Sequence, residues 1–225
     1  MEHPLLPLSG YVLAGGKSSR MGSDKALLQL AGKTLAERAV ETMSRICERV
    51  RIVGPPPLHS IAPTVQDSFQ GCGPLGGMEA ALQDACHEWL LFLPVDLPFL
   101  PHDMLYQWAC TELQNTDVAK RICYFEADRH PQPLVCLLHR CLLSSVQDAL
   151  RRKEYKVTTL FDHLAETTAA TLFVRPDQVL CKAILDEDAG LVIQRSGFHE
   201  WIPWLPTPLC STLARIITLA AISKR

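Results

Sequence analysis

Three glycines, one arginine and two lysines fall within thirteen residues of this chain, Leu13-Ala14-Gly15-Gly16-Lys17-Ser18-Ser19-Arg20-Met21-Gly22-Ser23-Asp24-Lys25. Glycine lets the backbone come close to a ligand and frees N–H groups to face phosphate oxygens. Arg20 and Lys25 add fixed positive charge of the kind that stabilises a polyphosphate and its transition state. The spacing is neither the Gly-x-x-x-x-Gly-Lys-Ser/Thr loop nor the dinucleotide Gly-x-Gly-x-x-Gly pattern. Pro94-Val95-Asp96-Leu97-Pro98 follows an apolar run, and Asp96 is there suited to hold Mg²⁺ bridging to phosphates. Asp67-Ser68, followed by Gly71-Cys72-Gly73-Pro74-Leu75-Gly76-Gly77, supplies a second glycine-rich loop that opens a helix near a sugar or base. Read singly, each has a plainer meaning, as a turn with surface cations, a turn aspartate and a simple loop.

The elements that must position these residues follow from hydrophobic pattern. Tyr11 to Ala14 is a short buried strand delivering Gly15 and Gly16 at its carboxyl end, where open α/β sheets bind ligands. Thr34 to Cys47 is predicted as a helix with Leu35, Ala39, Val40, Met43, Ile46 and Cys47 on one face, and Thr34 and Glu37 spaced as a capping box. Val50 to Val53 is a second strand, ended by Gly54 and three prolines. Gly76 to Cys86 is a helix, and Trp89 to Leu93 a continuous apolar strand, as in a sheet covered on both faces. A helix after Pro101, strands over Val118 to Phe125 and Leu134 to Leu138, and a helix face of Leu142, Leu143, Val146 and Leu150 complete the alternation. The expectation is a three-layer α/β/α sandwich, Rossmann-like, with a mainly parallel sheet. Residues 1–225 make one domain, since a single α/β domain often reaches this length. From about Leu180 the pattern weakens.

Composition narrows the classes. With 48% hydrophobic and 20% charged residues, a large core can form. A net charge of −2 without a long basic run speaks against nucleic acid and anionic membranes as partners. Nine scattered cysteines with no Cys-x-x-Cys pair, and an opening Met-Glu-His-Pro lacking a secretion-signal pattern, fit a cytoplasmic protein with reduced thiols. Ile216 to Ile222 is too short an apolar stretch to cross a bilayer.

Taken in order, the first motif, the Gly-Pro-Leu-Gly-Gly loop and Pro-Val-Asp-Leu-Pro resemble the molybdenum cofactor guanylyltransferase (MobA) family. Leu-Ala-Gly-Gly, Arg-Met-Gly and Asp-Lys in one loop carry most of that specificity. The resemblance runs from about Tyr11 to Phe173 and includes His130-Pro131-Gln132-Pro133-Leu134, similar to a segment near the family's pterin substrate; residues 175–225 are atypical. It implies transfer of GMP from GTP to the terminal phosphate of molybdopterin or Mo-molybdopterin, with Mg²⁺ as cofactor and release of pyrophosphate. It also implies proteins that deliver the molybdenum cofactor as further partners. By the same resemblance Leu13, Ala14, Gly15 and Gly16 contact the nucleotide, Lys25 its phosphates and Asp67 the guanosine portion. Asp96 holds GTP and Mg²⁺, and Lys25, Arg20 and Asp96 serve catalysis.

Two family features are absent. Gly54-Pro55-Pro56-Pro57 stands where an asparagine is usual, and Leu172-Phe173-Val174-Arg175-Pro176-Asp177 stands where Asn-x-Asn-Thr-Pro is usual. Three other readings therefore stay open: a cytidylyltransferase acting on the same pterin, a sugar-phosphate nucleotidyltransferase, and a catalytically weak nucleotide-binding paralogue. Gly15-Gly16 favours guanine, because cytidine-using relatives more often carry Ala-Ala-Gly there. Arg151, Arg152, Lys153 and Lys156 are candidates to receive the pterin phosphate or, more plainly, form a solvated helix end. Trp201 and Trp204 are expected to pack the C-terminal segment.

Overall fold

The computed structural model describes residues 3–15, 25–67, 69, 71–114, 121–127, 130–168, 180–186 and 190–196. Ten strands and five α-helices are found among them: β1 Leu6–Leu13, β2 Gln29–Leu30, β3 Lys33–Thr34, α1 Leu35–Ser44, β4 Cys47–Val53, β5 Thr64–Val65, α2 Pro74–Asp84, β6 Trp89–Pro94, α3 His102–Gln114, β7 Ile122–Ala127, β8 His130–His139, α4 Leu143–Arg151, α5 Val157–Thr168, β9 Leu180–Asp186 and β10 Gly190–Ser196. Six strands form one sheet in the order β5-β4-β1-β6-β8-β7. β5, β4, β1 and β6 pair in parallel, whereas β8 runs antiparallel to both β6 and β7.

Side-chain alternation along the strands divides the interior in two. Leu8 and Val12 of β1 with Leu91 and Leu93 of β6 face α1 and α3, and the intervening Tyr11, Leu13, Leu90 and Phe92 face α2, α4 and α5. The sandwich is thus three-layered, as the alternation of elements implied. On the first face Trp108 of α3 is 1% exposed and meets Phe125 with ring centroids 4.5 Å apart. On the second, Glu79 of α2 is fully buried and accepts a 2.8 Å hydrogen bond from Gln147 of α4, tying the two helices.

Several boundaries differ from expectation. β1 begins at Leu6 rather than Tyr11. The predicted Thr34–Cys47 helix stops at Ser44, and Ile46 and Cys47 lead into β4; both are buried there, and burial in either element gives the same apolar signal. Its capping box is present, with Glu37 N–H donating to Thr34 Oγ1 at 3.1 Å and Thr34 N–H to Glu37 Oε2 at 2.6 Å. α2 starts at Pro74, its first helical residue, and ends at Asp84 because Ala85 is extended. β7 is found from Ile122, while residues 115–120 lie outside the described part. α5 and the antiparallel β9–β10 pair were not anticipated. Trp201 and Trp204 lie outside the described residues. Among the described residues no helix is long and apolar enough to cross a membrane, and Cys47, Cys72, Cys86, Cys110, Cys123, Cys136 and Cys141 are free.

Candidate functional site

Strand register builds one rim. Leu13 pairs with Val53 on one side and Pro94 on the other, and Val53 pairs with Val65. Four parallel strands therefore end at one level, and Ala14, Gly54, Asp67 and Asp96 emerge along the same edge of the sheet. With roughly 4.8 Å between neighbouring strands, the rim from β5 to β6 spans about 14 Å, room for an extended ligand rather than one small ion. β1 is followed on one side by β4 and β5 and on the other by β6, so the strand order reverses between β1 and β6. In open α/β sheets such a reversal is where a ligand crevice forms, because successive crossovers leave in opposite directions.

Both banks of the crevice are fixed by backbone hydrogen bonds. Ala14 N–H donates to the Val53 carbonyl at 2.9 Å, and Val95 N–H donates to the Leu13 carbonyl at 3.2 Å. Gly15, exposed, and Asp96, half-buried, follow these anchors directly. Lys25 Nζ lies 3.6 Å from Asp96 Oδ2, with side-chain exposures of 20% and 29%. Lys25 opens a short 3₁₀ turn, Lys25–Leu27, whose next residue Ala26 is fully buried. The chain then makes the β2–β3 hairpin, whose two-residue turn Ala31-Gly32 has positive φ at both positions, 50° and 79°. Arg38 of α1 donates to the Leu30 carbonyl at 2.6 Å and 3.0 Å and holds the hairpin against the helix. The lysine is thereby anchored to the same framework as the aspartate, 71 positions away in sequence.

Asp67 occupies the far end of the rim. Its Oδ1 accepts from Phe69 N–H at 2.7 Å, and burial, opposed by that bond and aided by the charge of Glu79, pushes its carboxyl above the usual range. It lies directly over Gly76, in the first turn of α2. A Cβ at Gly76 would stand 2.5 Å and 2.8 Å from the Asp67 carboxylate oxygens and 2.9 Å from the Phe69 carbonyl. Gly73, capping α2, has φ 66° and ψ −154°, a conformation essentially reserved for glycine. The second glycine-rich loop therefore serves to bring Asp67 onto the helix start, and Gly77 lets α2 close on β4, since a Cβ there would meet Val53 Cγ1 at 2.7 Å.

This crowding makes a testable statement. Gly76→Ala is expected to lower stability by about 1–3 kcal/mol, the usual cost of overpacking, read as a lower urea midpoint. In an Asp67→Ala background part of that cost should vanish, because one of the two obstructing groups is gone. Strict additivity of the two substitutions would show that the contact does not govern the site.

Of the sequence candidates, Leu13, Ala14, Gly15, Lys25, Asp67 and Asp96 share one rim, and Lys25 and Asp96 are in direct contact. Gly16 and Arg20 lie outside the described residues, as does the side chain of His130. Arg151 pairs with Asp148 at 2.7 Å and Arg152 with Glu154 at 3.1 Å, as for a solvated helix end. What sequence reasoning missed is the supporting layer: Gly54, whose Cβ would lie 3.2 Å from that of Ala14, and the positive-φ hairpin turn behind Lys25. Ala31-Gly32 between two short polar–apolar alternations was the available signal for the latter.

The mainly parallel α/β/α sandwich is the Rossmann-like fold of nucleotidyltransferases, here with Lys25 and Asp96 paired at the strand-order reversal. Residues 10–169 match the family described as MobA-like NTP transferase domain, and the chain belongs to that family. A molybdenum cofactor guanylyltransferase of Photobacterium profundum is 34% identical over 158 residues, covering 68% of this chain and 79% of the relative. A solved structure from Aquifex aeolicus, 25% identical, superposes with a TM-score of 0.60 over 76% of this chain and 88% of its own. Molybdopterin-guanine dinucleotide biosynthesis protein A of Archaeoglobus fulgidus, 20% identical, shares the fold with a TM-score of 0.57, covering 75% of this chain and 83% of its own.

Proposed function

We propose that this protein transfers GMP from GTP to the terminal phosphate of molybdopterin, or of Mo-molybdopterin, with release of pyrophosphate. The observation that carries the reading is the Lys25–Asp96 pair at the mouth of the β1–β6 crevice. The name of the Photobacterium profundum relative, molybdenum cofactor guanylyltransferase, supports the choice of substrates. In this reading Leu13, Ala14, Gly15 and Gly16 line the nucleotide, and Asp67 receives its guanosine portion at the far end of the rim. Lys25, joined by Arg20, neutralises phosphate charge.

The Asp96 carboxylate fits Mg²⁺, a hard cation commonly held by one or two protein carboxylates together with substrate phosphates and water. Once bound, the ion supplies charge stabilisation to the phosphates. The protein needs no side-chain nucleophile, because an acceptor phosphate oxygen attacks the α-phosphorus as the bond to the departing pyrophosphate breaks. Its task is to place the two substrates in line and to offset the developing charge. The acceptor and proteins that deliver the molybdenum cofactor complete the partners, and residues 1–225 act as one cytoplasmic nucleotidyltransferase domain.

The test is to incubate purified protein with Mg²⁺, molybdopterin and each nucleoside triphosphate in turn, following pyrophosphate. GTP should be used, and in titration calorimetry it should bind at least about tenfold more tightly than CTP or ATP, a difference of about 1.4 kcal/mol. Equal or reversed affinities would remove the guanylyl assignment and favour a cytidylyl or sugar-phosphate substrate. Tight GTP binding without pyrophosphate release would instead favour the nucleotide-binding paralogue.

A further inference from the structure

A second group of reactive side chains gathers at the opposite end of the sheet. Ser9 of β1 pairs with Arg49 of β4 and Leu90 of β6, five residues or roughly 16 Å along the strand from Ala14. Cys86 and His87 lie in the turn between α2 and β6 and come down on Ser9. His87 Nδ1 is 3.0 Å from Ser9 Oγ and 3.4 Å from Cys86 Sγ, while its Nε2 is 3.1 Å from Glu48 Oε2. A carboxylate can only accept, so Nε2 carries the proton toward Glu48 and Nδ1 presents its lone pair to the Ser9 hydroxyl and the Cys86 thiol, which share it. Ser9 Oγ is 3.6 Å from the same sulfur, and the guanidinium of Arg49, the register partner of Ser9 on β4, favours its thiolate.

The group is braced from behind. Arg49 Nη2 lies 3.5 Å from Asp84 Oδ2, and Asp84 is held in turn by Arg51 and by the Tyr11 hydroxyl, each at 2.8 Å. Thiol, base, orienting carboxylate and cation thus converge from β1, β4 and the α2–β6 turn, an arrangement that activates nucleophiles generally. Cys86 is exposed, as reaction with a solute requires. Its neighbours, Arg49 foremost, hold its thiol below the ordinary range, whereas burial pushes Cys47 and Cys136 above it.

We propose that Cys86 is a thiol-modification site for low-molecular-weight disulfides, with His87 as proton acceptor, Glu48 orienting His87, and Arg49 and Ser9 holding the thiolate. The thiol proton passes to His87 Nδ1, and the sulfur attacks one sulfur of the disulfide. A new bond to Cys86 forms as the original sulfur–sulfur bond breaks. The departing half leaves as thiolate with the electron pair and collects the proton from His87. Cys86 is oxidised, one half of the disulfide is reduced, and no further oxidant enters. The site is independent of the nucleotide crevice and of the guanylyl reading.

The experiment treats the full-length protein with glutathione disulfide at pH 7 and follows each cysteine by peptide mass mapping. Cys86 should gain the mixed disulfide at least about threefold faster than Cys141, a second exposed thiol, because the larger thiolate fraction outweighs the loss of nucleophilicity that accompanies it. His87→Gln should slow Cys86 by a similar factor and move the midpoint of its rate–pH profile upward. Arg49→Gln should move the midpoint the same way, and Arg49→Lys, which keeps the charge, should restore most of the rate. Glu48 is half-exposed, so Glu48→Gln offers the same test of His87 if His87→Gln does not fold. Reaction of Cys86 no faster than Cys141, or a Cys86 rate indifferent to the His87, Glu48 and Arg49 substitutions, overturns the proposal.

Discussion

Asp96→Asn is expected to lower pyrophosphate release by about 10²–10³-fold, or roughly 3–4 kcal/mol, the usual loss when one electrostatic stabiliser of a transition state is removed. Asparagine keeps the size and one oxygen but loses the charge that hard oxygen ligation of Mg²⁺ favours. A simple loss of stability cannot account for so large a change. The Lys25–Asp96 pair at 3.6 Å is partly solvated on both sides, and such pairs are worth at most about 1 kcal/mol to folding. GTP affinity should fall less than turnover, because Lys25 and the loop amides remain. Lys25→Ala should also reduce turnover, with weaker dependence on Mg²⁺ concentration. Near-normal pyrophosphate release by Asp96→Asn at limiting Mg²⁺ would take Asp96 out of the metal site and return it to the role of a turn residue.

The largest effect on the fold should come from Trp108→Ala. The indole is buried behind the sheet, in the cluster shared by Leu93 and Val95, which lead directly to Asp96. Truncating a buried tryptophan costs about 3–5 kcal/mol through lost transfer energy and the cavity left behind. For a domain of this size that lowers the melting temperature by on the order of 10 °C. Trp108→Phe keeps part of the tilted ring contact with Phe125 and should lose less. Scanning calorimetry checks both, and a Trp108→Ala protein that melts within a degree or two of the parent would mean that the neighbouring side chains refill the space.

Local patterns were the legible part of this protein. The strand running into Gly15, the apolar Trp89–Leu93 run, the Thr34–Glu37 capping box and the glycine-rich loop opening a helix each depend on residues within a few positions of one another. Glycine spacing and the lysine and aspartate that follow point to phosphate chemistry for the same reason, since residue type and short separation suffice to state what a loop can do. The alternation of strands and helices likewise implied the three-layer sandwich, because each element must bury an apolar face on both sides of one sheet.

What tertiary structure decided are relations across long separations. The direction of β8, antiparallel in a sheet otherwise parallel, leaves no trace in periodicity, because a strand buried on both faces looks the same in either orientation. The Cys47 boundary was misplaced because burial in a helix and burial in a strand give one apolar signal. Lys25 meets Asp96, Asp67 rests on Gly76, and Ser9, Glu48, Arg49, Cys86 and His87 converge only through strand order and register. Sequence alone determined which side chains could act and which elements carry them. The folded sheet decided which of them meet, because hydrogen-bonded register converts positions remote along the chain into neighbours a few ångströms apart.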